Sequence, residues 1–282
     1  MHDQVTVVVG IDAKTIEQWE VSLPTWIHYH PELRGKCRWI VFHDCATPSV
    51  ENRAYALMDK NLLPAGQTKL IKWPCDVSGK CDVPTYGSQR ERMLTGFVHV
   101  PAKFGTTPFW CKIDTDAICL ERKPLWEPEW FEWDQEKHLP LAFVASPWSY
   151  SKPAEQPGQL DAWGDTVTSA PAFESGQKLN LPSPEPGARR IGHKRMASWW
   201  SLYSAEFTHY ASVLAERHCG VAKIPVPSQD GYHFYVAHRG GWPYKLASFK
   251  RRGWTNCSKL SSLKETAARV LNTNQAASIV DA

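Results

Sequence analysis

The sequence predicts an α/β fold, with a mixed, mostly parallel sheet flanked by helices. Candidate strands and helices alternate four times between Val5 and Asp116, an order that joins parallel strands through crossover helices. The candidate strands are also continuous apolar runs, as expected for strands that are buried on both faces of a sheet.

The first strand is Val5–Ile11, which reads VTVVVGI. A helix is predicted after it, because Thr15 and Gln18 have the spacing of a capping box and apolar side chains then recur at helical intervals. Those side chains are Ile16, Trp19, Leu23, Trp26 and Ile27. Pro24 is expected to kink or split this helix.

The same alternation continues to the fourth strand, which runs directly into Asp114-Thr115-Asp116. The remaining predicted elements of this half are strands at 38–44, 68–73 and Phe109–Ile113, and helices at 49–63 and 88–104. Asp12 and Asp44 follow the first and second strands. Because ligands of parallel sheets bind beyond the carboxyl ends of the strands, we expect these acids to gather at one edge.

The second half of the chain is less regular. Strands are predicted at 141–146, 196–203 and 222–226, and helices at 204–218 and 229–237. Residues 150–188 are rich in Pro, Gly, Ser and Glu, which predicts a long loop or lid. We expect a single domain over 1–258, followed by a C-terminal helix or tail over 259–282.

Composition argues against several classes of protein. The net charge of +3 is too balanced for a protein that grips a nucleic-acid backbone. No apolar run approaches the roughly 20 residues that span a bilayer. The N-terminus lacks the pattern of a signal peptide, and the eight cysteines include no CxxC pair. These features predict a cytoplasmic protein with reduced thiols and without a transmembrane segment.

Common phosphate-binding and catalytic motifs are absent from the sequence. It contains no GxGxxG after the first strand, and no GxxxxGK[ST], HExxH or GxSxG. An alternating α/β chain without these motifs needs another way to hold phosphate, and a metal ion held by carboxylates is the obvious substitute.

Asp114 and Asp116 are the candidate metal ligands. In an extended conformation, side chains two residues apart project to the same side, and the repulsion between their charges is relieved by protons or a cation. Hard oxygen ligands suit Mg²⁺ or Mn²⁺. The alternative is a pair of solvated loop acids, but the position between an apolar strand and the apolar stretch 117–120 favours the metal site.

The alternating strands and helices that lead to Lys112-Ile113-Asp114-Thr115-Asp116 resemble the first half of the nucleotide-sugar glycosyltransferases of the GT-A fold. The resemblance extends to 195–236, where paired tryptophans, SLYSAEF and PVPSQDGYHFYVA are similar to the acceptor half of bacterial and phage members. It covers roughly residues 5–255, with the loop at 150–190 unmatched. It implies a GT-A-like fold with a nucleotide-binding half (1–120) and an acceptor half (121–258).

The resemblance also implies roles for individual residues. Asp116 would bind Mn²⁺ or Mg²⁺ through the donor diphosphate, and Asp114 would hold the ribose or share the metal. Asp230 would be the catalytic base that takes the proton of the acceptor hydroxyl. The candidate donor contacts are Ile11, Asp12, Asp44, Arg90, Lys112 and Asp114.

Several of these residues have structural alternatives. Asp12 and Asp230 could be helix caps, and Asp44 could form a turn. Many family members supply a further metal ligand, usually a histidine, from the C-terminal part. His238 is the candidate here, with Asn256 or water and phosphate as alternatives.

The implied activity is metal-dependent transfer of a sugar from a nucleoside-diphosphate donor to a hydroxyl acceptor, by direct displacement with inversion. The acceptor would be a glycan or another hydroxyl compound; nucleic acid is expected only as a modified-base acceptor. One alternative is a nucleotidyltransferase, although GIDAKTIEQWE follows the first strand where such enzymes carry a Gly-rich basic loop. A non-catalytic sugar-binding protein on the same fold is the other.

Overall fold

A computed structural model describes residues 1–43, 48–61, 63, 65–73, 89–136, 138–147, 196–216, 229–246 and 253–280. In chain order, the strands are β1 (Val5–Ile11), β2 (Arg38–His43), β3 (Thr68–Lys72), β4 (Phe109–Ile113), β5 (Ala117–Cys119), β6 (Trp133–Asp134), β7 (Leu139–Pro140), β8 (Phe143–Pro147), β9 (Met196–Ser204), β10 (Lys245–Leu246) and β11 (Trp254–Asn256). The helices are α1 (Ile16–Tyr29), α2 (Glu32–Gly35), α3 (Pro48–Lys60), α4 (Gln89–Phe104), α5 (Ala205–Ala215), α6 (Gln229–Arg239) and α7 (Leu260–Val280). The predicted loop at 150–188 and the predicted strand at 222–226 lie outside the described residues.

The central sheet has the strand order β10-β8-β9-β4-β1-β2-β3 in the described part of the chain. Strands β4, β1, β2 and β3 are parallel, and each connection between them carries at least one helix. Strand β9 is antiparallel to both of its neighbours, β4 and β8. The predicted mixed, mostly parallel α/β sheet is therefore confirmed.

Successive side chains of the central strands enter cores on opposite faces of the sheet. Val7 packs in the core beneath α1 and α3, whereas Val8 packs in the core beneath α4, α5 and α6. Both side chains are fully buried. Burial on both faces explains why these strands are continuous apolar runs.

Helix α1 is not split at Pro24, which lies inside its unbroken span. Proline removes one hydrogen bond of the helix, but buried side chains lie on both sides of it. Trp19, Leu23 and Trp26 all pack in the core beneath the sheet, and this packing holds the helix together across the missing bond.

The C-terminal part of the chain returns to the carboxyl edge of β4. Strand β11 pairs antiparallel with β5, with Asn256 opposite Ala117. Residues 259–282 were expected to be a helix or a tail, and the structure has α7, whose Leu263 and Ala267 pack with Ile118. Of the helices that the structure describes, none is both long and apolar enough to cross a membrane.

Candidate functional site

The acids of the motif lie in a tight turn directly after β4. The backbone N–H of Ala117 donates to the Asp114 carbonyl at 3.0 Å, so residues 114–117 form the acidic turn. The extended conformation expected from the sequence is therefore wrong. The negative charge of Asp114 nevertheless acts on Asp116 and raises the pKa of its carboxyl group.

Helix α1 fixes the backbone of the acidic turn. Ser22 Oγ donates to the Thr115 carbonyl at 2.7 Å, and Trp26 Nε1 donates to the Ala117 carbonyl at 2.8 Å. Thr115 Oγ1 donates to Gln18 Oε1 at 3.3 Å. Gln18, Ser22 and Trp26 are spaced by four residues, so they lie on one face of the helix. The sequence reasoning missed these supports, whose signal is polar groups on an otherwise apolar helix face.

Lys112 brings a buried cation to the acidic turn. Its Nζ lies 2.8 Å from Asp114 Oδ1, and its side chain is only 7% exposed. The same ammonium lies 4.6 Å from the centre of the Phe97 ring. A carboxylate and an aromatic face together offset the loss of water around the lysine charge. Lys112 and Asp114 therefore form an ion pair, and the predicted contact of Lys112 with a donor stays a prediction.

Asp116 is held from the other side by the C-terminal strand. Asn256 Nδ2 donates to Asp116 Oδ1 at 2.8 Å, and the Cys257 N–H donates to the Asp116 carbonyl at 2.9 Å. Burial, and then the charge of Asp114, raise the pKa of Asp116 to about 6, against the lowering effects of Lys112 and Asn256. This carboxylate therefore lies in a place where an additional positive charge would stabilise its ionised form.

The oxygen atoms at the acidic turn and on the neighbouring Asn256 are of the kind that binds Mn²⁺ or Mg²⁺. Carboxylate oxygens of Asp114 and Asp116 and the amide oxygen of Asn256 are hard ligands. Within the described ranges, no group of three His, Cys, Asp or Glu side chains could hold a metal ion. A cation here would accordingly be held by the two acids, with Asn256, water or substrate phosphate as further ligands.

The candidate donor residues after β1 have local structural tasks. Asp12 Oδ1 accepts hydrogen bonds from the N–H groups of Lys14 and Thr15, at 2.8 and 2.7 Å, just before α1 begins. These bonds form a turn before α1, whose N-cap is Thr15, so Asp12 is not itself the helix cap. The Ile11 side chain is fully buried in the core. Contact of either residue with a nucleoside stays a prediction.

The remaining predicted residues are placed only in part. Asp44 lies outside the described residues. Arg90 lies in the first turn of α4 and His238 near the end of α6, but their side chains are outside the described part of the structure. Their proposed donor and metal contacts stay predictions.

Asp230 lies in the first turn of α6 and is 7% exposed. Beside it, Gln229 Nε2 donates to the Tyr203 hydroxyl at 2.8 Å and to His233 Nδ1 at 2.9 Å. Burial, and then the positive charge of Lys112, lower the pKa of His233 to about 3. The His233 ring lies 6.3 Å from the ring of Trp110, so α6 lies close to β4. The sequence reasoning had given no role to Gln229 or to His233.

No protein-family model and no curated protein matches the sequence. Among solved structures, the galactosyltransferase LgtC in complex with donor and acceptor sugar analogues is 9% identical, over 94% of this chain and 96% of that chain, with a TM-score of 0.49. An active-site mutant of LgtC is 12% identical, over 85% and 72% of the two chains, with a TM-score of 0.48. The glycosyltransferase GlyE of Streptococcus pneumoniae TIGR4 is 11% identical, over 87% of this chain and 45% of that chain, with a TM-score of 0.43. At these identities and TM-scores the similarity carries no residue roles to this chain.

Proposed function

We propose that the chain is a metal-dependent glycosyltransferase, which moves a sugar from a nucleoside-diphosphate donor to a hydroxyl acceptor. The observation that supports it best is the acidic turn at the carboxyl edge of β4. There, the pKa of Asp116 is raised to about 6 beside a second acid. The resemblance of this motif and of the Gln229-Asp230 region to GT-A glycosyltransferases supports the choice of reaction.

On the donor side, Asp116 and Asp114 hold Mn²⁺ or Mg²⁺, with Asn256 as a further ligand. When bound, the cation supplies positive charge that stabilises the departing diphosphate. Lys112 fixes Asp114 by its 2.8 Å contact, and α1 fixes the turn through Ser22 and Trp26. Because these groups are already held in place, little reorganisation is needed when the donor binds.

On the acceptor side, Asp230 is the catalytic base. Its carboxylate takes the proton of the acceptor hydroxyl while that oxygen attacks the anomeric carbon, which gives inversion of configuration. Proton NMR of the first product formed reports the anomer. An inverted product supports this role, whereas a retained product rules out Asp230 as the base of a direct displacement and leaves sugar transfer standing.

Thermal shift and donor hydrolysis test the proposal together. UDP, GDP and dTDP are each added with and without Mn²⁺, and we expect one of them to stabilise the protein only with the metal. The matching sugar nucleotide should then be hydrolysed slowly in the absence of acceptor. Asp116→Ala should abolish both effects, whereas Asp59→Ala, which removes an exposed acid on α3, should change neither.

The other outcomes identify the alternatives. Metal-dependent stabilisation without turnover of any donor indicates a sugar-binding protein. Release of pyrophosphate from a nucleoside triphosphate and a sugar phosphate indicates a nucleotidyltransferase. Nucleotide binding that is unchanged in Asp116→Ala contradicts the metal role of the acidic turn.

A further inference from the structure

We infer that Tyr203 is a positioning residue, which holds Asp230 in place relative to the acidic turn through Gln229. The inference rests on the proposed function, in which Asp230 meets the acceptor and the acidic turn meets the donor. The residues that carry it, Tyr203, Gln229 and His233, are called the buried relay below.

Two hydrogen bonds within the buried relay fix the orientation of the Gln229 side chain. Its amide nitrogen has two hydrogens, and these are directed to the Tyr203 hydroxyl at 2.8 Å and to His233 Nδ1 at 2.9 Å. All members of the relay are almost completely buried. A buried donor that lost either acceptor would find no bulk water to replace it, so the amide is held in both directions.

His233 is suited to accept this hydrogen bond. Burial lowers its pKa to about 3, so the imidazole is neutral. Because the amide nitrogen of Gln229 can only donate, its 2.9 Å contact assigns the lone pair to Nδ1 and the proton to Nε2. The ring packs among Tyr203, Phe207 and Trp110, with centroid distances of 4.7, 5.7 and 6.3 Å. The second acceptor of Gln229 is therefore as firmly placed as the first.

The first acceptor is fixed to the strand that ends in the acidic turn. Tyr203 lies opposite Trp110 in the β4–β9 register, and the two rings stack at 4.3 Å with an interplanar angle of 13°. Trp110 Nε1 in turn donates to Thr208 Oγ1 of α5 at 2.6 Å. These contacts fix the position of helix α6 relative to β4. Strand β4 is also the strand that carries Lys112 and leads into Asp114.

This connection predicts a particular kinetic effect. The acidic turn is held by α1 and by Asn256, whereas the place of Asp230 depends on α6. A loosened relay should therefore slow the chemical step and leave donor and metal binding unchanged, because misplacing a reacting group lowers the rate of reaction more than the affinity.

Tyr203→Phe tests this effect, because it removes only the hydroxyl. We expect kcat to fall by about tenfold or more, with an unchanged donor KM and unchanged Mn²⁺-dependent binding of the nucleoside diphosphate. The control is Ser212→Ala, which removes a buried 2.8 Å hydrogen bond to His99 between α4 and α5 and involves no residue of α6. A loss of kcat in both variants alike, or in neither, overturns the inference.

Gln229→Met provides an independent variant of similar length, in case Tyr203→Phe fails to fold. It should show the same loss of kcat at unchanged donor KM, and the double variant should lose no more than either single one, because a relay acts as a unit. Additive losses overturn the inference.

If the wild-type chain turns over no donor, the proposed function is wrong, and ¹⁵N NMR of the His233 imidazole then tests the relay by itself. An Nδ1 signal that does not move in Gln229→Met overturns the relay.

Discussion

Asp116 illustrates how single residues set the chemistry of the acidic turn. Its carboxylate accepts a hydrogen bond from Asn256, yet burial and the neighbouring Asp114 raise its pKa to about 6. The net effect is a carboxyl group that holds its proton more firmly in the folded chain than in the unfolded one. Metal binding must displace this proton, so Mn²⁺ affinity is expected to fall as the pH falls through about 6.

Asp116→Asn should stabilise the metal-free protein at neutral pH. The unfolded chain loses this proton near pH 3.8 and the folded chain near 6, so the folded chain binds more protons between these values. Stability therefore falls as the pH rises through this window, and the amide removes that fall. The Tm difference between variant and wild type, measured with EDTA, should grow from pH 4 to pH 7. A difference that does not change with pH contradicts the raised pKa.

Lys112→Met should destabilise the protein far more than Lys264→Met, although the ion pairs have similar lengths. Lys112 lies 2.8 Å from Asp114 and is 7% exposed, whereas Lys264 lies 2.7 Å from Glu17 and is 53% exposed. Breaking the buried pair should cost about 2–4 kcal/mol. Breaking the exposed pair should cost less than about 1 kcal/mol. Urea unfolding measures both free energies, and equal losses would contradict the role of burial.

At the scale of elements, α1 is the support of the acidic turn. It fixes the backbone carbonyls of Thr115 and Ala117 through Ser22 and Trp26, and these bonds are buried. Such supports come from the middle of a helix, where serine has no favourable local task. The contact of α1 with the acidic turn therefore explains why Ser22 lies in the middle of this helix, which helix propensity does not.

Ser22→Ala should weaken nucleotide binding as well as stability. Removing its hydroxyl leaves the Thr115 carbonyl without that donor, at a cost of about 1–3 kcal/mol, and loosens the turn that carries both acids. Ser212→Ala is the control, because its hydroxyl makes a buried 2.8 Å hydrogen bond to His99, between α4 and α5. Isothermal titration with Mn²⁺ and nucleoside diphosphate should show weaker binding for Ser22→Ala only.

Which elements could be predicted follows from the range of the interactions that form them. Strands β1 to β4 and their helices were predictable, because continuous apolar runs and helical periodicity are local signals. Strands β5 and β11 have three residues each and pair across most of the second half of the chain, so no local period marks them. The antiparallel direction of β9 was equally hidden, because an apolar run has no direction.

The same distinction of range applies to the candidate site. Asp114 and Asp116 were identified because they follow one apolar strand, and Lys112 through the family resemblance; the structure pairs Lys112 with Asp114. Asp230 was proposed only through the family resemblance. Asn256 was proposed only as an alternative metal ligand from the C-terminal part of the chain. The buried relay was missed, since its members come from β9 and α6 and meet only through tertiary packing.

At the scale of the whole molecule, one sheet joins the cores on its two faces. Val7 and Val8 are neighbours in β1 and fully buried, but they pack in different cores. If the chain unfolds as the single domain that the sequence predicts, a substitution that destabilises either core should lower the free energy of unfolding of the whole domain.

Val7→Ala and Val8→Ala should therefore each shift one common unfolding transition. We expect a loss of about 1–3 kcal/mol for each variant, with coincident urea curves from tryptophan fluorescence and far-ultraviolet circular dichroism. Curves that separate in only one of the two variants would show that the cores unfold independently, and the single-domain prediction would then be wrong.

The position of α7 has a consequence for how this protein can vary in length. Helix α1 contacts the acidic turn, and it also contacts α7 through the ion pair of Glu17 with Lys264. Leu263 and Ala267 of α7 cover Ile118, directly after the turn. A frameshift or stop codon near residue 259 would thus remove this packing and loosen the acidic turn without altering Asp114 or Asp116. Active relatives are expected to keep this last helix or to put another one in its place.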